Sequence, residues 1–252
     1  MTKCIFNNQW CELEELTIPI QSDAVQFGTG LFETLRTYGN KQLPFLDKHL
    51  QRLFSSIVSL NLACDYSQSD IKTMVIRLVN EHDSALQRIK ILVIPEGVLV
   101  TSVNLIEPLD APYRLTHWRT RRGLPEHKST SYLQCQLAWQ MAQDAGFDDS
   151  ILLDEEGHVY ETGRANLFWV IDGQIFTREH DVLPGTMRDF VLTNANVQFS
   201  HITYEDLLTA DEVFITNSIR GIASVSTIDS HNYQLSDEAT SLRSELRAFT
   251  QT

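Results

Sequence analysis

The hydrophobic period of this chain changes sharply near Asp47, and that change limits its fold more than any other feature. Before it, short apolar runs alternate and turn often. "CIFNNQWCE" (Cys4 to Glu12) brackets an Asn-Asn turn, "LTIPI" is a short apolar run, and "FETLRTYGNKQLPF" predicts two strands around Gly39-Asn40. After it, Leu50, Leu53, Phe54, Ile57 and Leu60 recur at three- and four-residue intervals, placing one apolar stripe along a helix. Such a chain has both strand hairpins and amphipathic helices to bury.

The rest of the sequence continues the mixture. "SDIKTMVIRLVNEHD" opens on a Ser-Asp cap signal and repeats the helical pattern, and "RIKILVI" with "VLVTSVNLI" predicts paired strands. Two prolines in "EPLDAPYR", Glu107 to Arg114, mark the best boundary between lobes, so a smaller lobe over 1–110 and a larger one over 111–252 are expected. Beyond it come a strand "YRLTHW", a helix from Ser131 to Ala145 stopped by Gly146, a strand "SILLD" and a hairpin at Glu156-Gly157. "NLFWVIDGQIFT" predicts a tight hairpin, because Asp-Gly suits the primed turn that matches strand twist. "LPGTMRDFVLTNA" opens a helix behind proline and glycine, "DEVFITNS" and "IASVSTID" are strands, and "DEATSLRSELRAF" is a closing helix. The expected class is α+β, in two lobes across the 252 residues.

Composition removes several function classes. A formal charge of −13 opposes nucleic acid and anionic membranes, and the one basic run, Arg119 to Arg122, is short: it could collect a small anion, but a solvated strand end is the commoner reading. No apolar segment reaches the ~18–20 residues of a membrane span, and the first residues lack the apolar block of a secretion signal, so a cytoplasmic protein is expected. Cys4, Cys11, Cys64 and Cys135 form no C-x-x-C pair and have no histidine at metal-ligand spacing; free thiols and no metal are the plain expectation. The dinucleotide, nucleophile-elbow and zinc-protease signatures are absent.

One lysine stands apart. Of six lysines, Lys128 lies between a predicted strand and a helix, in "GLPEHKSTSYLQ", where it could be enclosed. A nucleotide-binding loop would need glycine before the lysine, and the chain has His127 there. A desolvated lysine loses proton affinity and becomes a usable nucleophile and base, which imine-forming chemistry requires.

Six blocks in order make the chain resemble the fold-type IV pyridoxal-phosphate enzymes, which include branched-chain aminotransferases, D-amino-acid aminotransferases and aminodeoxychorismate lyases. They are "FGTGLFETLR" (Phe27 to Arg36), "HLQRL" (His49 to Leu53), "HKSTSYL" (His127 to Leu133), "ETGRANLF" (Glu161 to Phe168), "LPGTMR" (Leu183 to Arg188) and "DEVFITNSIRG" (Asp211 to Gly221). The resemblance implies a two-lobed, D-amino-acid-aminotransferase-like fold with the active site between the lobes and the lysine in the larger C-terminal one. It also implies a homodimer, a small amino substrate and pyridoxal 5′-phosphate as cofactor. Lys128 would join the cofactor aldehyde and later carry the proton. Glu161 would pair with the pyridine nitrogen and Asn166 would orient it. Arg52, the backbone of Gly185, Thr186 and Met187 at a helix start, and Ser218 would hold the phosphate, with Leu183 packed on the ring.

Cofactor residues are common to this whole group, so the reaction must be read from the substrate side. "TNSIRG" is similar to the loop of the aminodeoxychorismate lyases, which implies Arg220 as a carboxylate anchor, with Phe32, Thr34 and Tyr132 as further pocket residues. The expected reaction is elimination of pyruvate from 4-amino-4-deoxychorismate, leaving 4-aminobenzoate, a step of folate biosynthesis. The chain departs from the family pattern at Ser22-Asp23, Thr29, "PEGVLVTS" and Thr186. A branched-chain or D-amino-acid aminotransferase therefore stays open, as does a non-catalytic binder of the cofactor.

Overall fold

The computed structural model describes residues 2–107, 110–235 and 237–251. Residues 108 and 109, inside the expected lobe boundary, lie outside the described residues. Two compact units emerge: one holds 2–107 together with His127–Ser131, the other 110–126 and 132–250.

In the first unit, strands β1 (Lys3–Phe6) and β2 (Gln9–Glu12) form a hairpin, followed by a short helix α1 (Asp23–Gln26) and strand β3 (Leu31–Arg36). Helices α2 (Leu46–Ser59) and α3 (Gln68–Glu81) come next, then strands β4 (Gln87–Ile94) and β5 (Gly97–Asn104). The strands make one antiparallel sheet in the order β2-β1-β5-β4-β3. Alternation decides which face is covered: Ile89, Ile91 and Val93 of β4 point into a core shared with Leu50 and Leu53 of α2 and Ile71, Met74 and Leu78 of α3. Each such fully buried side chain contributes about 1.5–3 kcal/mol. A reciprocal cap starts α3, with Ser67 Oγ accepting from the Asp70 amide and Asp70 accepting from the Ser67 amide.

The second unit contains β6 (Tyr113–Arg119), α4 (Leu133–Asp144), β7 (Asp149–Leu153), β8 (Val159–Thr162), β9 (Asn166–Ile171) and β10 (Gln174–Thr177). It continues with α5 (Thr186–Asn194), β11 (Val197–Phe199), α6 (Tyr204–Leu207), β12 (Glu212–Asn217), β13 (Gly221–Ile228), β14 (His231–Asn232) and α7 (Asp237–Gln251). Eight strands run in the order β11-β10-β9-β12-β13-β6-β7-β8, with β14 added to β13. Unlike the first sheet this one is mixed, because β6 pairs in parallel with both β13 and β7. The β9–β10 turn is the expected one, with Asp172 and Gly173 both at positive φ (50° and 72°).

Three expectations are corrected. Only the first of the two strands around Gly39-Asn40 forms. Asn40 and Lys41 both take positive φ, and after a single Tyr38–Gln42 bridge the chain enters α2 behind Pro44. Residues 127–131 join the first unit rather than the C-terminal lobe, because the segment hydrogen-bonds along the outer edge of β3. Finally, Arg122 is no solvated strand end: its side chain is 7% exposed and paired with Glu161. Among the described residues no helix is long and apolar enough to cross a membrane.

Candidate functional site

In the first unit the Lys128 segment is held by backbone. The Phe32 amide donates to Lys128 O and the Thr130 amide to Gly30 O, each at 2.9 Å, and Leu31 bridges Ser129. Thr130 Oγ1 donates to Gly28 O at 2.5 Å, and His127 Nδ1 lies 3.0 Å from Ser56 Oγ on α2. The lysine is half-buried, and its Nζ sits 4.5 Å from the centre of the Phe32 ring, which also faces Lys90 Nζ at 5.2 Å. An aromatic face attracts ammonium groups, so Phe32 steers the lysine amine. Burial, with the Arg88 charge, lowers the Lys90 pKa. Thr34 is on the same face of β3 as Phe32, opposite Glu33, because side chains alternate along a strand.

Behind that face lies a buried ionic group. Arg52 of α2 donates from Nε to Glu33 Oε1 at 2.8 Å and from a terminal nitrogen to Glu33 Oε2 at 2.6 Å, while His49 Nδ1 meets Oε2 at 2.8 Å. Burial alone would raise the Glu33 carboxyl, but the Arg52 and His49 charges outweigh it and bring it down to about 2. Burial lowers the His49 pKa, an effect that the Arg52 and Lys128 charges reinforce and Glu33 only partly offsets. The two-point grip fixes the direction of the Arg52 guanidinium, the first requirement of a phosphate ligand.

The second unit assembles Glu161, Asn166 and Leu183. Glu161 is 3% exposed, and its Oε2 accepts from Leu183 N at 3.2 Å and from Asn166 Nδ2 at 3.1 Å, while Oε1 accepts from Arg122 at 3.1 Å. Asn166 also donates to Leu183 O at 2.8 Å, tying β8, β9 and the segment before α5 together. Arg122 lies 5.1 Å above the Tyr132 ring, and the Tyr132 hydroxyl donates to Gly163 O. Burial raises the Tyr132 pKa.

Helix α5 begins at Gly185, which offers no side-chain acceptor to the first-turn amides. A Cβ at Gly185 would stand 2.1 Å from Asn166 Oδ1, so only glycine lets Asn166 reach its partners. Thr186 and Met187 are buried in the first turn, and Thr186 Oγ1 is 3.1 Å from Ser218 Oγ. On β12, the buried Thr216 Oγ1 has no hydrogen-bond partner. A helix start, two hydroxyls and an orphaned third hydroxyl form a donor set that could hold a phosphate, and Glu161 an acceptor that could hold a ring N–H. The residues fit pyridoxal phosphate in this respect.

Arg220 stands half-buried in the turn between β12 and β13. Asn217 Oδ1 accepts the amides of Ile219 and Arg220 at 3.1 and 2.9 Å, and the Arg220 guanidinium donates to Ala111 O at 2.7 Å over the Tyr113 ring. Two residues escaped the sequence reading. Arg122 was visible only as part of a basic run, and its buried terminal nitrogen without a partner marks it as a member of the polar cluster. Thr216 carried no sequence signal beyond lying two residues before Ser218.

Relatives cover nearly the whole chain. A probable branched-chain-amino-acid aminotransferase of Synechocystis sp. is 29% identical over 98% of this chain and 92% of its own length. An aminodeoxychorismate lyase of Vibrio harveyi is also 29% identical, over 86% of this chain and 89% of its own. Among solved structures, a T.th. branched-chain amino acid aminotransferase with pyridoxamine 5′-phosphate superposes with a TM-score of 0.91 at 27% identity, covering 99% of this chain and 94% of that one. Residues 30–228 match the family described as "Amino-transferase class IV", and the chain belongs to that family, whose members use pyridoxal phosphate.

Proposed function

We propose that this protein is a 4-amino-4-deoxychorismate lyase acting as a homodimer. In this reading the chain binds pyridoxal 5′-phosphate. Lys128 would join its aldehyde, Arg52, the α5 start and Ser218 would hold its phosphate, Glu161 and Asn166 would hold its ring nitrogen, and Leu183 would pack on the ring. When bound, the pyridoxal ring supplies a sink for the electrons left when a proton leaves the neighbouring carbon. Lys128 Nζ takes that proton from the substrate carbon bearing nitrogen. The ether oxygen then departs with the enolpyruvyl group, which takes up a proton to become pyruvate. The six-membered ring gains aromaticity as 4-aminobenzoate.

The observation that carries the lyase reading is the Asn217–Gly221 turn. Its two Asn217 hydrogen bonds set Arg220 two residues from Ser218, and the contacts with Ala111 and Tyr113 hold the guanidinium in one direction. A dicarboxylate substrate needs such a cation, and arginine makes the bidentate contact that lysine cannot. Phe32, Thr34 and Tyr132 would line the remainder of the substrate pocket. The relative named as a branched-chain aminotransferase keeps transamination as the second reading.

The test follows pyruvate and 4-aminobenzoate together after purified enzyme receives aminodeoxychorismate. Equal release without a keto acid supports the lyase. Amino-group transfer to a keto acid, with no pyruvate, supports the aminotransferase instead. Borohydride reduction of the cofactor-loaded protein should add mass to the peptide bearing Lys128, and Lys128→Ala should lose both the added mass and ~10²–10⁴-fold or more in turnover.

A further inference from the structure

The β1–β2 hairpin turns through Asn7 and Asn8, both at positive φ (48° and 64°), and the two-residue loop fixes its register. Phe6 faces Gln9, Ile5 faces Trp10, and Cys4 faces Cys11. Directly opposed residues of antiparallel strands have Cα atoms about 4.5–5.5 Å apart. That lies inside the ~4.4–6.8 Å range that a disulfide spans. Here the two Sγ atoms are 3.2 Å apart, and each also approaches the other residue's carbonyl, at 3.4 and 3.8 Å. Cys4 is buried and Cys11 half-buried, so one sulfur is reachable and the other waits behind it. Cys64 lies in the loop between α2 and α3, and Cys135 on α4.

We propose that Cys4 and Cys11 are a reversible thiol–disulfide exchange site that reduces a small-molecule disulfide and closes an intrachain cystine across the hairpin. In the first step the Cys11 thiolate attacks one sulfur of the reagent, the reagent S–S bond breaks, and one small thiolate leaves and takes up a proton. In the second, the deprotonated Cys4 sulfur attacks Cys11 Sγ and expels the other small thiolate. The protein loses two hydrogens and the reagent leaves as two thiols, so atoms and electrons balance. Burial, with the Cys11 thiol beside it, pushes Cys4 up to about 12, which makes Cys11 the attacking group and closure the slower step. A cystine between opposed strands on the outer hairpin of the sheet, one of its sulfurs half-exposed, stays open to reduction by a dithiol.

The test uses the intact native protein and oxidised glutathione. After treatment, free thiols are alkylated, and cleavage after Lys3 and Arg36 releases both cysteines in a single peptide, 4–36. The expected result is that peptide without alkyl groups and two hydrogens lighter than its reduced form, Cys64 and Cys135 alkylated, and full return of both thiols with dithiothreitol. The Cys11→Ser variant should leave Cys4 alkylatable after the same treatment. The proposal is overturned if both thiols of peptide 4–36 stay alkylated, if glutathione caps Cys11 and never leaves, if the bond joins two chains on a non-reducing gel, or if closure occurs only in urea. Should Cys11→Ser fail to fold, the wild-type peptide still decides.

Discussion

Glu33 carries its charge in the protein interior because β3 and α2 bring it between Arg52 and His49 at 2.6–2.8 Å. Removing one partner of such a group leaves the other charge buried alone. Glu33→Gln is therefore expected to lose about 3–5 kcal/mol, read from urea unfolding at neutral pH. An unchanged midpoint would show that the Arg52 charge finds compensation elsewhere. Gly185 is set by distance rather than by backbone angle: its φ is −68°, open to any residue, but a Cβ would strike Asn166 Oδ1. Gly185→Ala should cost about 1–3 kcal/mol as the start of α5 moves away. It should also weaken cofactor uptake, followed by visible absorbance. If affinity and melting temperature both hold, the α5 start plays no part in binding phosphate.

Among the elements, hairpins closed by short asparagine or aspartate turns were the most legible. Asn7-Asn8 and Asp172-Gly173 adopt the left-handed conformation that their side chains tolerate, and strand register follows from loop length. Gly173→Ala should cost about 1–2 kcal/mol in thermal unfolding, because its φ of 72° penalises a side chain. The same reasoning failed at Gly39-Asn40, where the signal of a turn was real but only Gln42 bridges back to Tyr38 before the chain turns at Pro44 and Phe45 into α2. Helix stripes were equally plain: Leu50, Leu53 and Ile57 are buried on α2 as their spacing required. Arg122 could not be read from spacing, since a basic run looks alike whether solvated or folded against a carboxylate. Its burial depends on Glu161, 39 residues later. The family blocks named the parts of the candidate site; the cross-links among them, such as Asn166 to Leu183 O, became visible only in three dimensions.

For the whole molecule, two buried carboxyls set opposite responses to acid. Glu33 is depressed from 4.5 to about 2, so its contribution, roughly 3 kcal/mol, is complete above its unfolded value and is lost as pH falls from about 4.5 through 2. His49, lowered by burial, works in the same direction, since the unfolded chain takes up a proton there first. Asp149 opposes them. Burial raises it from 3.8 to about 6, against hydrogen bonds from Thr162, Ser150 and Arg164, so the stability it supplies is complete below its unfolded value and lost as pH rises through 6. Asp149→Asn removes this titration. Its penalty relative to wild type should therefore grow by up to roughly 3 kcal/mol between pH 7 and pH 4, measured by paired urea titrations. A constant difference would mean that Asp149 stays ionised in the folded protein. The first unit also has an unusual order of manufacture. Because 127–131 complete the border of β3, a ribosome must deliver residues 110–126, which belong to the other unit, before that border can close. Until then the nascent sheet presents bare amides, a window in which a chaperone that recognises open strands would have its best access.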